Sequence, residues 1–200
     1  MKRLILGKPG TGTSPAVGKI ALMMLMSISA GLSSSIFAGQ DDNCVVQISQ
    51  PLVDYGRKTA AELIEGRART SQIFLGKQTI SLSAVCENKT GLALSFNGQG
   101  ADDHSYRFAR NGSFTLKVLS TQLDGKSVRM LPAEAPATSS SEQRLRPGVS
   151  LVAYDGQRPA TGERLTVQVE VETYIDPEAT KVRAEEVWEG GGQFNVESFN

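Results

Sequence analysis

As a prior, a length of 200 residues allows one domain, or a small domain with an arm. Basic and acidic residues balance at 21 each, and no Lys/Arg cluster stands out along most of the chain, which argues against nucleic acid as a partner. Two cysteines and a single histidine leave too few ligands for a zinc site, so no metal or other cofactor is expected.

The first 38 residues differ from the rest. They carry Lys2, Arg3, Lys8 and Lys19 with no acidic residue, then an apolar run from Ile20 to Ala30, then small and polar residues up to Ile36-Phe37-Ala38. A basic start, a short apolar stretch and a small residue before a polar segment is the pattern of a secretory signal peptide. The expected cut follows Ala38, with Ala30 as the other candidate, so residues 39–200 form the expected single mature domain. A retained membrane anchor needs about 20 mostly apolar residues, and five serines interrupt Ile20–Ala38. A lipid-anchored start is disfavoured because Asp41-Asp42-Asn43 precedes Cys44. Removing the leader leaves 17 basic against 21 acidic residues. The segment Gly7–Ser14 looks like a phosphate-binding loop, but Thr13 stands where that loop needs lysine.

In the mature part the dominant period is two, the signature of half-buried strands. Cys44–Ile48 is a first candidate. Thr59–Ile64 offers one or two helical turns, stopping at Gly66. Ile80, Leu82, Ala84 and Cys86 share a strand face, as do Leu92, Leu94 and Phe96, with Glu87–Gly91 read as a turn between them. Phe114, Leu116 and Val118 repeat the pattern. Further candidates are Val128–Leu131 and Val149–Tyr154, separated by 132–148, which reads as a long exposed loop. Val167, Val169 and Val171 alternate with Gln168, Glu170 and Glu172 in the clearest strand of the chain. Residues 181–188 are ambiguous, and Gln193–Phe199 closes the series. Turns are expected at Asn111-Gly112, Asp124-Gly125, Asp155-Gly156 and Asp176-Pro177. Seven or eight short antiparallel strands in about 160 residues predict an all-β sandwich.

Two cysteines in an exported chain are most simply a disulfide, Cys44–Cys86, because the compartments beyond the inner membrane are oxidising. Cys86 lies on the apolar face of its strand, which puts the bridge in or beside the core. Chemistry is otherwise sparse. His104, beside Asp102 and Asp103, has no nucleophile motif to serve and reads as a loop histidine. Asp102, Asp103 and Asn97 match no calcium-loop spacing. Asn88-Lys89-Thr90 and Asn111-Gly112-Ser113 fit the glycosylation acceptor pattern but read as turns. Trp188 reads as a core or groove aromatic before a surface sugar platform. No nucleophile, acid–base pair or metal cluster points to an enzyme.

The order of features resembles subunits of chaperone–usher fimbriae. The residues that carry it are the leader, Cys44, the segment Pro51-Leu52-Val53-Asp54-Tyr55-Gly56, Cys86 at the end of an alternating strand, and a last alternating strand, Gly192–Asn200, with aromatic Phe199 next to last. The resemblance implies an immunoglobulin-like sandwich lacking its last strand, with an open apolar groove. It further implies that a periplasmic chaperone lends the missing strand, and that a neighbouring subunit's arm replaces it at an outer-membrane usher. Phe194, Val196 and Phe199 are the expected groove or chaperone-binding residues. On this reading the chain passes through the periplasm and ends in a fimbria on the cell surface, contributing to adhesion. A cut after Ala38 leaves only the polar Gly39–Asn43 before Cys44, so the subunit would accept a strand without giving one, which suits a fibre end. A cut after Ala30 would leave Leu32, Ser34, Ile36 and Ala38 as a weak donor strand. The competing readings are a tip adhesin for a host sugar or protein, and a stand-alone exported β-sandwich binding module.

Overall fold

Alternating apolar residues can bury one face of an extended chain only against another such face, and the molecule is built on that pairing. The computed structural model describes residues 2–5, 44–65, 72–133, 143–181 and 186–199. In chain order the elements are β1 (Lys2–Ile5), β2 (Val45–Ile48), β3 (Leu52–Asp54), α1 (Ala60–Glu65), β4 (Ile73–Gly98), β5 (Tyr106–Phe108), β6 (Gly112–Leu123), β7 (Lys126–Ser127), β8 (Arg129–Pro132), β9 (Arg144–Leu145), β10 (Leu151–Asp155), β11 (Arg158–Pro159), β12 (Thr161–Ile175) and β13 (Trp188–Phe199). A 3₁₀ turn, Pro177–Thr180, is capped by the Asp176 carboxylate, which accepts the Glu178 N–H.

The expected all-β sandwich is what the chain forms, and β4 is its spine. Its first half pairs with β2 on one edge and β12 on the other, and β12 in turn pairs with β6. Its second half, Gly91–Gly98, pairs with β13, while Ala93 and Leu94 pair with β10. The core between the two faces holds Ile80, Leu82 and Ala84 of β4, Val167, Val169 and Val171 of β12, and Phe114, Leu116 and Val118 of β6. Against them lie Leu92, Leu94 and Phe96, with Leu151 and Phe194. Outward positions are polar: Lys77 and Glu170 form an ion pair at 3.2 Å on the exposed side. The Cys44–Cys86 disulfide forms, tying the residue before β2 to β4 beside the core. On a chain-entropy account, closing that loop contributes about 4 kcal/mol.

Two sequence expectations change. Glu87–Gly91 is not a turn between two strands. β4 runs through it, and the ladder with β12 resumes in the same direction, Arg164 facing Val85 and Gly162 facing Thr90. Only Glu163 on β12 spans the extra β4 residues, so the polar stretch forms an irregularity that carries one strand between the two faces. The segment 132–148 is not wholly an exposed loop. Residues 134–142 lie outside the described residues, but Leu145 is fully buried and pairs with Leu116. Gln143 fixes that return: its carbonyl accepts the Val118 N–H at 2.7 Å and its side-chain oxygen the Met130 N–H at 2.8 Å. Lys2–Ile5, at the start of the expected leader, form β1 within the sheet. The rest of the expected leader from residue 6 onward, both candidate cut sites and the Gly7–Ser14 segment lie outside the described residues.

Local signals hold elsewhere. Thr59 and Glu62 make a reciprocal cap for α1, with the Thr59 N–H donating to the Glu62 carboxylate at 2.7 Å and the Glu62 N–H to the Thr59 hydroxyl at 3.3 Å. Gly66, its expected stop, lies outside the described residues, as do 182–185 of the ambiguous segment. Asp124 and Gly125 both take positive φ, 50° and 79°, which makes the β6–β7 connection a two-residue type I′ turn. The Asp124 carboxylate also accepts the Arg164 N–H at 2.8 Å, pinning the turn to the start of β12.

Candidate functional site

β3 and β13 do not pair with each other. Between them lies β1, which pairs with both, through four residues toward β13 and three toward β3. Toward β13 the pairing is parallel, from Lys2 opposite Trp188 to Ile5 opposite Gly191. Toward β3 it is antiparallel, with Arg3 opposite Asp54, Leu4 opposite Val53 and Ile5 opposite Leu52. Strands sit about 4.8 Å apart in a sheet, so the seat between β3 and β13 is about 9.6 Å wide, the room of one strand.

The flanks explain why the seat has this shape. Val53 is the one buried residue of β3, between exposed Leu52 and Asp54, so even three residues keep the period of two. Tyr55 follows it into the core, where its ring meets Phe108 edge-on at 6.4 Å and lies over Gly76. Its hydroxyl shares a 2.8 Å hydrogen bond with the buried Thr173 hydroxyl, which fastens the β3 flank to β12. Burial pushes the Tyr55 hydroxyl's pKa up, and the bond to Thr173 opposes this only in part. On the other flank Trp188 is buried, and its ring N–H donates to the Glu186 carboxylate at 3.1 Å. Gly190, Gly191 and Gly192 follow, a run that lets neighbouring backbone come close. A Cβ on Gly192 would collide with the Phe96 ring and lie 2.5 Å from the Asn97 carbonyl oxygen.

The expected groove residues sit farther along β13, on the stretch that pairs with β4. Phe194 faces Phe96, Val196 faces Leu94 and Phe199 faces Gly91. Phe194 is 3% exposed, with its ring 4.8 Å from that of Phe96, and belongs to the core. Val196 packs partly buried against the same core. Phe199 is 37% exposed over Gly91, and its carbonyl accepts the Thr90 hydroxyl at 2.7 Å. Among the described residues, no strand pairs with the second edge of β13 beyond Gly191. The seat and the three aromatic or branched residues thus belong to one strand but to different stretches of it.

Other candidates stand apart from the seat. His104 and Asp102 lie in an exposed turn, where the His104 N–H donates to the Asp102 carboxylate at 2.7 Å. That backbone hydrogen bond, with smaller help from Ser105 and His104, holds the Asp102 carboxyl below its usual pKa. Asn97 is next to last in β4 and exposed. Asn88 falls within β4, and Asn111 leads into β6. Trp188 is only 5% exposed, which leaves little ring face for stacking on a sugar. In the sequence, Pro51–Gly56 stands out only through the family resemblance, and Lys2–Ile5 only as the start of the expected leader. The alternation of Val53 between polar or exposed neighbours was the available signal, and three residues are too few to carry it.

No family model matches the chain, and no curated protein matches it in sequence. Among solved structures, the crystal structure of the P pilus rod subunit PapA matches 77% of this chain and 99% of that one, at 13% identity and a TM-score of 0.37. A likeness that loose does not by itself establish a role.

Proposed function

We propose that this protein is a structural subunit of a cell-surface fimbria, exported to the periplasm and assembled by accepting a strand from a chaperone and then from a neighbouring subunit. The observation that carries the reading is the seat between β3 and β13, a one-strand gap in the sheet filled by a short segment from the start of the chain. A chain shortened at Ala38 loses that segment and presents two unpaired strand edges above buried apolar residues. An added strand supplies main-chain hydrogen bonds to both edges and side chains to the face below. Left empty, such edges promote aggregation. The sequence features that resemble fimbrial subunits and the disulfide, suited to an oxidising compartment, support the same reading.

The test is the behaviour of the chain that begins at Gly39, produced in the periplasm with and without a co-expressed fimbrial chaperone. The expected result is aggregation, polymerisation or degradation alone, and a soluble one-to-one complex with the chaperone. A Gly39 chain that stays monomeric and folds reversibly alone overturns the proposal and favours the stand-alone binding module.

A further inference from the structure

We infer that Tyr55 is the positioning residue of the strand seat: its ring and hydroxyl hold β3 one strand's width from β13, so that an incoming strand meets two walls already in place and is kept between them. This rests on the strand-acceptor reading and adds to it the residue that keeps the acceptor ready.

The topology supplies the need. Among the described residues β3 pairs with β1 and with no other strand, whereas β13 also has its ladder with β4. With the seat empty, Leu52–Asp54 has no ladder on either edge, and side chains alone fix its place. Val53 and Tyr55, two residues apart and so on one face, are the buried anchors of this stretch. The Asp54 carboxylate accepts the Gly56 N–H at 2.8 Å and Gly56 takes a φ of 67°, so the chain turns directly after Tyr55.

The contacts of Tyr55 supply the means. Its hydroxyl meets that of Thr173, a fully buried residue flanked by both long ladders, opposite Gly76 of β4 and Phe114 of β6. The bond therefore ties β3 to sheet that is paired on both sides. The β4–β12 register shifts beside it, between Thr173 and Tyr174, and Gly76 leaves room for the ring, since a Cβ there would lie 3.2 Å from it. Toward the other wall the ring meets Phe108, which stands opposite Gly190 of β13. The two rings thus cross from one wall of the seat to the other on the core side. Ordering a wall at the moment of binding lowers the affinity of the incoming strand, and a wall held beforehand removes that cost. A strand paired on both edges leaves only when one wall opens, and β3 is the shorter wall.

The experiment uses the chain that begins at Gly39, made in the periplasm with its disulfide formed and purified in complex with a co-expressed fimbrial chaperone. Wild type, Tyr55→Phe, Thr173→Val, Thr173→Ser and the Tyr55→Phe/Thr173→Val pair are compared by two readouts. One is amide hydrogen exchange at 52–56, and the other is the rate at which labelled chaperone in the complex is replaced by unlabelled chaperone. Tyr55→Phe should speed both by about fivefold, the effect of one net hydrogen bond. Thr173→Val should do the same, Thr173→Ser should match wild type, and the pair should be no faster than either single change, because each removes the same interaction. Val167→Ala, a core change farther along β12, should lower overall stability and leave both readouts at their wild-type rates. Wild-type exchange at 52–56 in Tyr55→Phe overturns the inference, as do unchanged chaperone release, additive effects in the pair, or release in Val167→Ala as fast as in Tyr55→Phe. A Gly39 chain that is monomeric and folds reversibly alone sinks the fimbrial reading instead, and the exchange comparison, made on that monomer, still decides whether Tyr55 holds β3.

Discussion

Replacing Phe194 with alanine separates a core role from a groove role for the last strand. The ring is 3% exposed, meets Phe96 at 4.8 Å and sits in the cluster that joins the two faces. Emptying such a site costs about 3–5 kcal/mol, transfer and cavity together. Set against the 5–15 kcal/mol that holds a typical domain, that is a large fraction of the total. With a urea dependence of about 2 kcal/mol per molar, the unfolding midpoint should fall by about 1.5–2.5 M. Phe199→Ala is the internal comparison, because its ring is 37% exposed and covers only the strand end at Gly91. Its cost should stay below about 1.5 kcal/mol, in line with partial burial. The assay is urea unfolding of the full chain with the disulfide intact, followed by circular dichroism. A Phe194→Ala cost below about 1 kcal/mol, or one equal to that of Phe199→Ala, refutes the placement of Phe194 in the core and returns it to the wall of an open groove.

Cys86→Ser should lower stability by about 4 kcal/mol on the chain-entropy account and reduce periplasmic yield; a linked Cys44–Cys86 peptide pair should appear by mass spectrometry without reductant, and two free thiols would refute it. Gly192→Ala forces a methyl group against the Phe96 ring and the Asn97 carbonyl and should cost about 1–3 kcal/mol by denaturation, and an unchanged midpoint counts against that packing. Burial raises the hydroxyl pKa of both Tyr55 and Tyr106 above the ordinary 10.0. The folded chain then keeps protons that the unfolded chain releases, so stability is full below about pH 10 and falls as the pH rises beyond it. Part of the tyrosinate absorbance should appear only as the sheet signal is lost, and complete ionisation in the intact fold refutes the burial.

Much of the body was legible because its strands are long and one-sided. Val167, Val169 and Val171 needed nothing beyond the period of two, and every one of them is fully buried. The same period found the inward faces of β4 and β6, and the expectation of an oxidising compartment found Cys44–Cys86. Failures came where the deciding contact lies far along the chain. Glu87–Gly91 carries turn residues, yet whether a polar stretch reverses or only shifts between faces depends on where its partner ladder resumes, and that is set by β12. Leu145 follows a proline- and serine-rich run, and only its place opposite Leu116 makes it core. Tyr106 and Phe108 are buried to the same degree as the valines, but a three-residue strand is too short to show a period.

The candidate site was the least legible part, for a reason that follows from how strands recognise one another. A strand edge is made of main-chain groups that every residue carries, so β13 at Glu189–Gly191 and β3 at Leu52–Asp54 announce nothing of the strand that pairs with both. The register, which places Arg3 opposite Asp54 and Glu189, shows only once the strands are paired. The leader pattern, by contrast, was read from charge and hydropathy alone, which speak to transport and not to pairing. Lys2 and Arg3 were read for their charge, and their place opposite Trp188 and Glu189 is a main-chain matter that charge does not report.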